Sequence, residues 1–158
     1  PDIVDYEKEL KNHPIFFDLI CNLNKKLNNC VYWFEMETEH LGNELKILLE
    51  TNRAYLNQNS RRVPVSNVNI DSKTLYVGVR RGGNRKKDGL SFLSGRIIIH
   101  LGYYRKGSTQ GLQLAHWAKK INGKLTVNVL EFNGLPNDYL YVLEKIIAFK
   151  LKPICGKH

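Results

Sequence analysis

Three short apolar segments alternate with longer segments of helical periodicity, and this alternation limits the folds open to the chain more than any other feature. The short segments have the length and the β-branched and aromatic content typical of strands. The expected strands are Cys30–Met36, Leu75–Val79 and Lys124–Phe132. Apolar residues recur at helical spacing in the longer segments, which predicts helices at 14–27, 40–57, Leu93–Tyr104, about 110–121 and about 138–151. The pattern predicts one α+β domain with a small sheet.

The net charge indicates the kind of partner. With 158 residues the chain is long enough for one domain with a real core. Lys and Arg number 24 against 15 Asp and Glu, which leaves a formal charge of +9. Such a surplus favours a polyanionic partner, of which nucleic acid is the commonest. A merely soluble basic protein remains the alternative on charge alone.

The number and spacing of the cysteines indicate the cellular compartment. The three cysteines, Cys21, Cys30 and Cys155, form no CxxC pair and are odd in number. This argues against a disulfide framework or a zinc knuckle and favours a reducing cytoplasm. No apolar run approaches the roughly 20 residues of a membrane span, so we expect no membrane insertion.

Five polar residues follow one another in an order that indicates chemistry. Tyr32 and Tyr76 lie on expected strands, Arg96 and His100 are four residues apart on one helix face, and Glu144 lies within the last helical segment. Together they provide two aromatic hydroxyls, a fixed cation, an imidazole and a carboxylate. These groups suit phosphodiester cleavage with one hard metal ion.

Each of these residues also has an ordinary structural interpretation. Tyrosine is a good strand former, and for Arg96 or His100 taken alone a salt bridge or a satisfied buried histidine is the favoured interpretation. Glu144 stands beside Lys145 on what would be a solvated face.

A glycine-rich basic loop follows the second strand. Its cations are Arg80, Arg81, Arg85, Lys86 and Lys87. We expect this loop to run along a nucleic-acid backbone, giving salt-sensitive and mostly sequence-independent affinity.

These motifs resemble those of the GIY-YIG endonuclease superfamily. The resemblance covers roughly residues 30–158 and rests on the following patterns: Val31-Tyr32, Tyr76-Val77-Gly78, Arg96-x-x-x-His100, Glu144 and Leu151-Lys152-Pro153. It implies a three-stranded antiparallel sheet flanked by helices, with the two tyrosine motifs on adjacent strands. Within a single domain, residues 1–29 would then be an N-terminal helical extension and about 39–73 an insertion between the tyrosine motifs.

The resemblance also implies roles for the five residues. Tyr32 would serve as the base for the attacking water, Tyr76 would position the phosphate, and Arg96 would stabilise its developing charge. His100 would assist proton transfer, and Glu144 would bind Mg²⁺ or Mn²⁺.

The implied activity is metal-dependent DNA cleavage by a monomer or homodimer, with RNA still open as a substrate. The first motif lacks its leading glycine, and Ile154-Cys155-Gly156 follows Lys-Pro where many members have an asparagine. These departures keep open a non-catalytic nucleic-acid-binding module on the same scaffold.

Overall fold

In the computed structural model, which describes residues 14–85, 89–103 and 110–157, four helices flank a three-stranded antiparallel sheet. This confirms the predicted α+β class. The helices are α1 (Pro14–Asn24), α2 (Glu39–Gln58), α3 (Phe92–Leu101) and α4 (Asn137–Leu151). The strands are β1 (Asn29–Met36), β2 (Thr74–Arg80) and β3 (Leu125–Phe132), in the order β2-β1-β3.

The pairing of β1 with β2 decides which side chains share a face of the sheet. Tyr32 lies opposite Gly78, and Phe34 lies opposite Tyr76. Side chains on a strand alternate between the two faces. Tyr32, Phe34 and Tyr76 therefore project from one face, and Val31 and its neighbours of odd number in β1 project from the other.

Each face of the sheet packs on different helices. The larger core lies on the Tyr32 face, with residues of α2 and α3, and includes Tyr32, Phe34, Leu45, Leu49 and Ile97. The smaller core lies between the other face and α4, and includes Val31, Val77, Leu140 and Ala148. Hence α3, which carries Arg96 and His100, and α4, which carries Glu144, cover opposite faces.

Helix α3 has a well-defined start and end. The Ser91 hydroxyl accepts a hydrogen bond from the Ser94 amide at 3.0 Å, which is an N-cap. Gly102 ends the helix in the left-handed conformation at φ 96°, where glycine carries no Cβ penalty. Arg96 therefore lies in the middle of a helix whose two ends are both capped.

The helix predicted at about 110–121 is wrong in the described part of the chain. Its only helical turn is a 3₁₀ turn at Leu114–His116, preceded by Gln113 at φ 56°. Here tertiary hydrogen bonds take the place of helical ones, because the Leu112 amide donates to His100 and the Leu112 carbonyl accepts from the Trp117 indole at 2.6 Å. Tertiary context thus overrides the periodic pattern.

Other predicted boundaries shift by a few residues. The first predicted helix ends at Asn24 rather than at residue 27, and the helix predicted to reach Tyr104 ends at Leu101. Tyr104, Lys86 and Lys87 lie outside the described residues. In the described ranges, no helix has both the length and the apolar content that a membrane crossing requires.

Candidate active site

The Tyr32 hydroxyl is the centre of a buried hydrogen-bond network. Tyr32 is 0 % exposed. Its oxygen accepts a hydrogen bond from Arg96 Nε at 3.2 Å and lies 3.0 Å from His100 Nε2. Two residues one turn apart on α3 therefore hold a side chain that projects from β1.

The hydrogen bonds of His100 assign its tautomer. The Leu112 amide donates to Nδ1 at 3.1 Å, so Nδ1 carries no proton and Nε2–H donates to the Tyr32 oxygen. Burial, and after it the charge of Arg96, lower the pKa of His100 well below its usual range. A neutral, fully buried imidazole is suited to orient Tyr32. The proton-transfer role expected from the sequence finds no support in this geometry.

Arg96 joins the two tyrosines. Its guanidinium hydrogen-bonds both the Tyr32 and the Tyr76 hydroxyls, and Nη1 donates to the Gln110 carbonyl. The described ion pairs are Lys26–Glu131, Lys73–Glu35 and the exposed His40–Glu44 pair, so the salt-bridge interpretation of Arg96 does not apply among these residues. Arg96 is thus a cation held by phenols and a carbonyl.

Gly78 allows the two tyrosine rings to approach each other. A Cβ at position 78 would stand 2.7 Å from the Tyr32 hydroxyl oxygen and 2.7 Å from Tyr76 Cε1. The ring centroids lie 6.4 Å apart. The glycine of the second motif therefore makes room for protein side chains.

Both phenols are held in their neutral form. Burial is the main cause that raises the pKa of Tyr32 and the pKa of Tyr76, and the charge of Arg96 opposes it in both cases. Hydrogen bonds donated to a phenol oxygen favour its ionised form. Arg96 and His100 therefore favour ionisation of Tyr32 against the effect of burial.

Glu144 acts on this network although its helix covers the other face of the sheet. The side chain is half-buried. Its negative charge contributes to the raised pKa of both Tyr32 and Tyr76. The carboxylate is therefore within electrostatic range of both phenols.

Glu144 offers carboxylate oxygens, which are ligands that a hard cation accepts. No group of three or more His, Cys, Asp or Glu side chains that could hold a metal occurs among the described residues. A cation bound to a single carboxylate keeps most of its waters, which is the coordination that Mg²⁺ prefers.

The described arginines of the basic loop lie over two different aromatic rings. The guanidiniums of Arg80 and Arg85 lie over the ring of Phe92, at 5.3 and 5.9 Å from its centroid. Arg81 lies 6.0 Å from the ring centroid of Tyr141 on α4. Sequence reasoning missed both aromatic residues, although the spacing of Phe92 four residues before Arg96 could have indicated a shared helix face.

The segment that follows Lys-Pro lies beside Tyr76. The Ile154 and Cys155 amides donate to the Thr74 and Leu75 carbonyls at 2.9 and 3.1 Å. Cys155 is buried, and burial raises the pKa of its thiol. A neutral thiol thus stands in the segment where the resemblance implies an asparagine.

Comparison with known protein families, characterised proteins and solved structures finds no match for this chain.

Proposed function

We propose that the chain is a metal-dependent endonuclease that hydrolyses phosphodiester bonds in DNA. The observation that carries the proposal is the Arg96 guanidinium, which hydrogen-bonds both tyrosine hydroxyls beside the charge of Glu144. A cation without a carboxylate ion pair among the described residues retains its charge for a phosphate. The formal charge of +9 supports a nucleic-acid substrate.

Each residue has a role in this proposal. Arg96 stabilises the charge that develops on the phosphate, and Tyr76 positions the phosphate next to it. Tyr32 accepts the proton of the attacking water only as the phenolate, so its own hydroxyl proton must first be lost to bulk water; the N–H donors of Arg96 and His100 favour this ionised form. His100 is a positioning residue because both of its ring nitrogens are engaged.

Glu144 is the residue that would hold Mg²⁺ or Mn²⁺. When bound, such an ion supplies positive charge to the phosphoryl and leaving oxygens and lowers the pKa of its water ligands. Its half-buried carboxylate belongs to α4, which packs on the face of the sheet opposite to α3.

One observation favours a second candidate, a nucleic-acid-binding module without catalysis. The Tyr32 hydroxyl is fully buried, and burial raises its pKa, so in this conformation a water molecule does not reach it from solvent. The Ile154-Cys155-Gly156 segment also lacks the polar side chain that the resemblance implies.

Nicking of supercoiled plasmid tests the proposal. We expect conversion to nicked and linear forms with Mg²⁺ or Mn²⁺ and none with EDTA. A structured RNA, assayed in parallel under the same metal conditions, shows whether the substrate is DNA or RNA. Binding of the plasmid without cleavage under any metal condition would favour the non-catalytic module.

A further inference from the structure

Two arginines from the basic loop gather on one aromatic ring next to Arg96. Phe92 is the first residue of α3, and Arg96 lies one turn further along the same face. The Arg80 guanidinium lies 5.3 Å from the Phe92 ring centroid and that of Arg85 lies 5.9 Å from it. The ring thus brings a strand residue and a loop residue to the start of α3.

Gly95 lets Arg85 lie against the helix backbone. A Cβ at position 95 would stand 3.1 Å from Arg85 Nη1. Gly95 is buried and is the direct neighbour of Arg96. The Arg85 guanidinium therefore lies against the backbone of α3 at the residue before Arg96.

The charges of this cluster are not balanced by the described ion pairs, which involve other residues. Arg80 Nε is buried and has no hydrogen-bond partner in the described part of the chain. Burial, and after it the charges of Arg85 and Arg96, lower the pKa of Arg80. A partly buried cation with other cations nearby is stabilised by an anion.

We propose that Arg80 and Arg85 form a cradle at the start of α3 that binds a phosphate group of the nucleic-acid strand. This inference rests on the proposed function, and it replaces a diffuse basic loop by a defined site. Planar guanidiniums suit this role because they donate paired hydrogen bonds to phosphate oxygens. Arg81, from the same loop, stacks towards Tyr141 on α4 and lies outside the cradle.

Titration with inorganic phosphate tests the cradle directly. The arginine Nε–Hε NMR signals are followed while phosphate replaces chloride at constant ionic strength. We expect saturable shifts in the wild type, and a Kd at least tenfold weaker in Arg80→Gln and in Arg85→Gln. The matched control, Arg81→Gln, should stay within twofold of the wild type.

Two further variants keep the test decisive if a charge-removing variant does not fold. Gly95→Ala retains every charge and brings a Cβ to 3.1 Å from Arg85 Nη1, so it should shift the Arg85 Nε–Hε signal and weaken phosphate binding. Arg80→Lys keeps the charge but loses the planar pair of donors, so it should also weaken phosphate binding. Linear, non-saturating shifts in the wild type, or an equal loss in Arg81→Gln, would overturn the cradle.

The phosphate cradle and the nuclease activity can be refuted independently. A protein that never nicks plasmid but binds phosphate through Arg80 and Arg85 supports the cradle and refutes the nuclease. Nicking without saturable phosphate binding supports the nuclease and refutes the cradle. A short DNA duplex should move the same Arg80 and Arg85 signals, whereas a response to inorganic phosphate alone would overturn the assignment to a nucleic-acid strand.

Discussion

Gly78 lies directly opposite Tyr32 in the pairing of β1 with β2, and a Cβ at position 78 would stand 2.7 Å from the Tyr32 hydroxyl oxygen. The same Cβ would meet the ring of Tyr76. One glycine therefore sets the distance between the two phenols that Arg96 joins.

Gly78→Ala should destabilise the protein and disturb this network. Overpacking a tight core costs typically about 1–3 kcal/mol, and here the neighbours are two rings that share hydrogen bonds. Urea denaturation measures the loss. Gly123→Ala is the matched control, because its Cβ would meet only the ends of flexible side chains, and it should cost under about 1 kcal/mol. Equal losses in the two variants would contradict the packing account.

His100 should make stability depend on pH. Because its pKa is lowered in the folded state, the unfolded chain binds a proton more readily, and the stabilisation is present above the unfolded pKa of about 6.5. We expect the free energy of unfolding to fall as pH drops below that value, by at most about 1.4 kcal/mol per pH unit for this group.

The His100→Gln variant should show a shallower fall than the wild type in denaturant titrations between pH 7.5 and 5. An unchanged slope in His100→Gln would show that this histidine does not titrate as the buried geometry requires.

Glu144→Gln separates the electrostatic role of the carboxylate from any metal. Because its negative charge raises the pKa of Tyr76, removing that charge should lower this pKa. NMR titration of tyrosine labelled at Cζ measures the shift. The variant should also lose plasmid nicking while it retains DNA binding, since its ligand charge is gone. Glu50→Gln, on the exposed face of α2, should leave both properties unchanged.

The loop between α2 and β2 should stabilise the segment that follows Pro153. Asn67 and Asn69 both donate side-chain hydrogen bonds to the Pro153 carbonyl, at 3.0 and 2.9 Å. The double substitution by alanine leaves a carbonyl of the buried Pro153 without these donors, which should cost about 1–3 kcal/mol in urea denaturation. Asn59→Ala, whose side chain bonds only within its own helix, should cost less.

Local sequence patterns predict most of the helices and strands. They do not predict which side chains meet, because that depends on how distant segments pair. Strand ends are predicted to within a residue because apolar and turn residues delimit them locally. The shared face of Tyr32 and Tyr76 depends on the register between two strands, which no local pattern specifies. The 110–121 prediction fails for a related reason, since Leu112 satisfies His100 from across the fold.

The basic loop shows the same limit. Its composition predicts an anion partner, but the direction of each arginine follows from aromatic residues on two helices. Sequence spacing within the loop carries no information about Phe92 or Tyr141.

The rate of DNA cleavage by Arg96→Lys tests the central claim most directly. Lysine keeps the charge but not the planar donors that join Tyr32, Tyr76 and the Gln110 carbonyl. Under single-turnover conditions with Mg²⁺ we predict a rate at least about a hundredfold lower, with DNA affinity within a few-fold of the wild type. Arg81→Lys, purified in the same way, should cleave like the wild type. Cleavage by a folded Arg96→Lys at the wild-type rate would contradict the account.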